Sequence, residues 1–170
     1  MENLIKITKF GKIVHIVELV LFCALTIFSL VIVFSANNLI EAMQGGTGAD
    51  AAGGLAGIII LIVGIAFLIV CLVMLAFAIA LFVINQKMQK NLSLETGTNN
   101  KIVKAYNALN IVLAIVLIVL AIIALIVDLN VVAKIVFSVL AFALAVLHLV
   151  LTGMIIKKSK TKNNNVVNNA

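Results

Sequence analysis

The sequence predicts an all-α integral membrane protein: four transmembrane helices in an antiparallel up-down-up-down left-handed bundle, with N and C termini cytoplasmic. Three observations carry that prediction. Hydrophobic residues make up 65% of the 170-residue chain and charged residues 11%, against about 45 to 50% and about 25% in soluble domains. The apolar residues gather into four runs, 13–36, 55–84, 105–127 and 131–156, each longer than the roughly 20 residues needed to cross a hydrocarbon layer. All 12 basic residues are lysine, and 11 of them fall in the three segments that an up-down path places on one side.

The first run follows Lys6, Lys9 and Lys12 and reads as an uncleaved signal anchor, because a cleaved signal has an apolar region of only about 7 to 15 residues. The second and third runs are separated by Gln86 to Lys104, read as a solvated loop. The third and fourth are joined by Asp128 to Asn130, a link so short that the two helices must be neighbours. Helices are preferred to strands throughout, since lipid offers no partner for an unpaired backbone amide and the runs lack the alternation of a membrane barrel. Residues 1–158 form one transmembrane domain, and 159–170 read as a disordered, Lys/Asn-rich cytoplasmic tail. On the other side, NNLIEAMQ is expected to make one or two helical turns before the glycine-rich GGTGADAAGG.

Sidedness follows from the lysines. Lys6, Lys9, Lys12, Lys87, Lys90, Lys101, Lys104, Lys157, Lys158, Lys160 and Lys162 share one side, which the positive-inside tendency makes the cytoplasm. The opposite segments carry Glu41, Asp50 and Asp128, with Lys134 as the one nearby lysine. The expected location is the plasma membrane. Nucleic acid is excluded as a partner, because the lysine clusters lack arginine and interleaved aromatics. The expected partners are the lipid bilayer and either a second copy of the chain or another membrane protein.

Each run carries one small or polar stripe. In the second, Gly57, Gly64, Cys71, Ala78 and Asn85 recur every seven residues; in the third, Asn107, Ala114, Ala121 and Asp128 do the same, joined by Asn110. The fourth has Lys134, Ser138, Ala141, Ala145, His148 and Thr152, and the first has His15, Glu18, Phe22, Thr26 and Ser29. Lipid supplies no hydrophobic drive for helix association, so close approach across small residues must supply it. Gly57, Gly64, Cys71, Ala78, Ala114, Ala121, Ser138, Ala141 and Ala145 are therefore the expected packing seam, and its period of 3.5 implies left-handed supercoiling. Gly53 and Gly57 add a GxxxG pair, a weak signal so close to a glycine-rich segment.

Chemistry must reside in the few polar groups held in lipid, which are expensive there. Counting 1.5 Å per residue from Lys12 and Lys157, Glu18 lies about 9 Å deep and His148 about 13 Å. Asn110 reaches a similar depth and His15 lies nearer the headgroups, so His15, Glu18, Asn110 and His148 are expected to form one intramembrane polar layer. Such a layer either fixes helix register by hydrogen bonding, as buried polar residues do in coiled coils, or serves as a proton site. Metal binding by two histidines and a glutamate lacks a third ligand at fixed spacing, and no metal or other cofactor is expected. Asp128 and Lys134 form a separate outer polar cluster, a snorkelling anchor rather than a gate.

No tetraspan family signature is present: the Cys-Cys-Gly of tetraspanins and the Trp and paired Cys of claudins are both absent. Glu18 in the first span is similar to the membrane-buried glutamate of small multidrug-resistance transporters, but the aromatics expected to hold a drug cation are missing, with Tyr106 the lone tyrosine. No Ser/His, Asp/Asp or His-Glu-x-x-His arrangement is present, so the chain is not expected to be an enzyme. The expected function is that of a small multi-pass membrane scaffold or accessory subunit, acting through helix and lipid contacts. The alternative is a proton-linked small transporter or channel subunit that uses the Glu/His layer.

Overall fold

A computed structural model describes residues 2–44, 51–93, 100–126 and 131–167, and all of these are helical. The helices are α1 (Glu2–Gln44), α2 (Ala51–Ser93), α3 (Asn100–Ile126) and α4 (Val131–Val167). Each contains a stretch long and apolar enough to cross a membrane: Leu4–Asn38, Gly57–Leu92, Lys101–Ile126 and Lys134–Lys158. With no proline in the chain, nothing removes a backbone donor along these runs.

The helices outrun the apolar segments, which corrects the reading of Gln86 to Lys104 as a loop. α2 continues through Gln86 to Ser93 and α3 begins at Asn100, so most of the segment read as a solvated loop is helix. α4 runs as far as Val167. α2 begins at Ala51, so Gly53 and Gly54 are helical. The common reason is cooperativity: once a helix is nucleated by its apolar run, each added residue closes another hydrogen bond, and polar residues propagate it readily. The expected turns in NNLIEAMQ are present as an unbroken extension of α1. Asp50 and the Asp128 to Asn130 link lie outside the described residues.

The chain divides into two compact units, Met1–His15 with Ala80–Ala170, and Ile16–Ile79. The second unit is a pair of antiparallel segments of α1 and α2. Gly64 lies against Ile32 and Val33, Gly57 against Ile40, and Ser29 Oγ lies 3.5 Å from Cys71 Sγ. At Gly57 the approach is so close that an added Cβ would fall 2.9 Å from Ile40 Cγ1. Two hydroxyls of this unit donate within their own helix: Thr26 Oγ1 to the Phe22 carbonyl and Ser29 Oγ to that of Leu25. Cys23 is exposed and Cys71 buried, and neither is in a disulfide.

The first unit joins the start of α1 and the end of α2 to α3 and α4. Here α3 and α4 pack along each other in opposite directions: Ser138 Oγ donates to the Ala121 carbonyl at 3.0 Å, and Asn110 pairs with His148 further along. Leu113, Ala114, Leu117 and Ala121 are buried on α3, and Ser138, Ala145, Leu151 and Ile155 on α4. Of the small residues expected at the seam, Ala141 is half-buried and the others are buried.

Candidate functional site

Every turn of α1 from Leu4 to Phe22 sends one residue inward: Leu4, Thr8, Gly11, His15, Glu18 and Phe22 are buried at alternating steps of four and three. That spacing keeps one stripe on one helix face. Its polar members make the site. In the first unit they are met by Asn85 and Gln89 from α2, Tyr106 and Asn110 from α3, and His148 from α4.

His15 Nε2 is hydrogen-bonded to Tyr106 Oη at 2.7 Å, with the two rings edge to face and their centroids 5.7 Å apart. The His15 ring also lies nearly parallel to that of His148, at 5.8 Å between centroids and 19° between planes. His148 Nδ1 is 2.6 Å from Asn110 Oδ1, and Asn110 Nδ2 donates to the Tyr106 carbonyl at 2.8 Å. This last bond orients the whole chain of contacts. A carbonyl can only accept, so the amide nitrogen of Asn110 must face Tyr106 and its oxygen must face the histidine. His148 Nδ1 therefore carries a proton and donates it. His15, Tyr106, Asn110 and His148 are all 0% exposed.

A second set of contacts anchors α2 to α1. Asn85 Nδ2 and Gln89 Nε2 both donate to the Thr8 carbonyl, at 3.0 Å and 2.7 Å, while Thr8 Oγ1 turns back to the Ile5 carbonyl. Gly11 sits where the two sets meet, and a Cβ there would lie 3.0 Å from Tyr106 Oη and 3.3 Å from Asn85 Nδ2. Asn85 Oδ1 and Thr152 Oγ1 are buried with no hydrogen-bond partner among the described residues, and so is Asn107 Oδ1.

Of the expected polar layer, His15, Asn110 and His148 come together. Glu18 is buried on α1 one turn beyond His15 and belongs to the other unit. In the expected outer cluster, Lys134 is half-buried on α4 and Asp128 lies outside the described residues. Among the described residues no three His, Cys, Asp or Glu side chains gather as a metal site. Tyr106, Thr8, Gly11 and Gln89 were missed by the sequence reading. The signals were there: Thr8 and Gly11 continue the α1 stripe at seven and four residues before His15, and Tyr106 precedes Asn110 by one turn.

Four apolar helices, each long enough to cross a membrane, fit a small membrane protein. Comparison with protein-family models, curated proteins and solved structures finds no match to this chain.

Proposed function

We propose that the protein is a non-enzymatic membrane scaffold or accessory subunit, embedded in the plasma membrane with both termini cytoplasmic and its helices crossing at shallow left-handed angles. It acts through helix and lipid contacts, with a second copy of itself or beside another membrane protein. The observation that carries this reading is the enclosure of the polar cluster. Its four central side chains are wholly buried and bind one another from α1, α3 and α4, so they hold register rather than face a ligand. The large apolar side chains point the other way: Ile13, Phe34, Ile62, Ile126, Val131 and Val139 are among many that are exposed. Purification of the full chain in mild detergent, followed by native mass measurement, tests the proposal. A defined oligomer or a co-purifying membrane protein is expected, and a lone monomer would count against it.

A second reading is favoured by one observation. Asn85 Oδ1 and Thr152 Oγ1 leave hydrogen-bonding capacity unused in the same unit as two histidines, the side chain that exchanges protons near neutral pH. On this reading the protein is a proton-linked small transporter or channel subunit, with Glu18, His15, His148 and Asn110 as its proton site. Reconstituted vesicles under an imposed pH gradient, with a panel of cations outside, separate the two. Flux in the wild type that Glu18→Gln abolishes while helix content is kept would establish transport. A gradient that persists across the panel would leave the scaffold.

A further inference from the structure

The first unit carries an open groove of about 470 Å³ lined by Ile5, Lys9 and Lys12 of α1 and Gln86, Gln89 and Lys90 of α2. Among the described residues, three lysines and two glutamines supply its polar lining. The groove arises because Lys9 and Lys12 stand one turn apart on α1, Gln86, Gln89 and Lys90 one turn apart on α2, and the two segments run antiparallel here. Its floor is held: Thr8, between the α1 lining residues, accepts hydrogen bonds through its carbonyl from Asn85 and from Gln89 itself.

We infer that this groove binds the headgroup of an anionic phospholipid, its phosphate among the three lysines and a headgroup hydroxyl against the glutamine amides. Positive-inside topology asks only that lysines lie in the right segments, wherever their side chains point. It does not ask that lysines from two helices line one concavity, as Lys9 and Lys12 of α1 and Lys90 of α2 do. Gln89 donates its Nε2 inward to Thr8, which leaves its Oε1 as an acceptor for a hydroxyl. The lipid source follows from position. The groove abuts the start of the apolar run 13–36 and the end of the run 55–84. Phe10, Ile13 and Val83 of the same unit are 46%, 61% and 44% exposed, an apolar surface for the acyl chains. Surface lysines near a bilayer attract anionic lipid in general; the groove adds a fixed geometry and a preference for one headgroup. The inference rests on membrane embedding alone and stands or falls apart from the scaffold reading.

The test is native mass spectrometry of the full chain in mild detergent with added phosphatidylglycerol or phosphatidylcholine, repeated with glycerol phosphate and inorganic phosphate as competitors. The wild type should retain phosphatidylglycerol at least tenfold better than phosphatidylcholine. Lys9→Gln/Lys12→Gln/Lys90→Gln should lose that preference, since each lysine contributes about fivefold, while Lys104→Gln/Lys157→Gln/Lys158→Gln, with the same charge change, should keep it. The arginine triple at positions 9, 12 and 90 should also keep it, which separates lost charge from lost fold, and circular dichroism checks the helix content of each variant. Equal retention of the two lipids, or equal loss in both glutamine triples, would overturn the site. Displacement by equimolar inorganic phosphate or glycerol phosphate would overturn the lipid source.

Discussion

Asn110 bridges two groups with one amide: its nitrogen meets the Tyr106 carbonyl one turn back, and its oxygen meets His148 on the next helix. Removing either end of such a buried link strands a polar atom, and the loss is the desolvation of that atom rather than the small net value of a bond. Tyr106→Phe should therefore destabilise the protein by about 1 to 2 kcal/mol, read as a lower melting temperature in detergent, because it deletes the hydroxyl 2.7 Å from His15 Nε2. Asn110→Leu should cost at least as much. A glycine pair makes a sharper residue-scale contrast. At Gly11 a methyl would press on Tyr106 Oη and Asn85 Nδ2, whereas at Gly153 it meets nothing within 4 Å. Gly11→Ala should lower the melting temperature by shifting Tyr106 from His15. Gly153→Ala should leave it unchanged or raise it, by up to about 1 kcal/mol, through lost chain flexibility. Equal effects at the two glycines would mean that Gly11 is not a contact point.

At the scale of the element, α2 shows what the heptad stripe does. Gly57, Gly64, Cys71, Ala78 and Asn85 are buried, and the buried Met74, Leu81 and Met88 fall three residues after the last three of them, so one continuous face is covered, while the exposed residues from Ile58 to Val83 are apolar. Replacing Ala78 or Gly64 with Leu should overpack this face and cost about 1 to 3 kcal/mol. Ile65→Leu, on the exposed side, should be silent in the same unfolding assay. Equal tolerance would place the seam on another face. The α3 and α4 pair uses a different device, a hydroxyl in place of a glycine: Ser138 reaches the Ala121 carbonyl, possible because Ala121 is small. Ser138→Ala should cost only about 0.6 kcal/mol, the average for such bonds within a membrane.

For the whole molecule, the consequential charge pattern is the segregation of lysine. In a background with Cys23 and Cys71 replaced by alanine, single cysteines at Gly46 or Asp50 should react with an impermeant reagent applied to intact cells. Cysteines at Thr96 or Asn164 should react only after permeabilisation. Labelling of Thr96 from outside would reverse the proposed orientation or remove a span. Lys9, Lys12 and Lys90, which line the groove, belong to the same segregated set of lysines, so on both proposals one set of residues would serve insertion and lipid contact together.

The sequence by itself determined that the chain is helical, that four helices can cross a membrane, and which side of α2 is small. These are properties of composition and of local period, and lipid leaves the backbone no alternative to the helix. His15, Asn110 and His148 were also legible, because a polar residue deep in an apolar run stands out and its depth follows from the rise per residue. The ends of the helices were less so. Hydropathy reports where lipid contact stops, whereas a helix continues for as long as the next hydrogen bond closes, as α2 does to Ser93 and α4 to Val167. Only the tertiary structure decided that Tyr106 meets His15, that the two imidazoles lie nearly parallel, and that Asn85 and Gln89 share one backbone carbonyl. Those pairings join residues as many as 133 positions apart, such as 15 and 148. Their rotation and register are set by how side chains of several helices fill common space, which no single helix's periodicity contains.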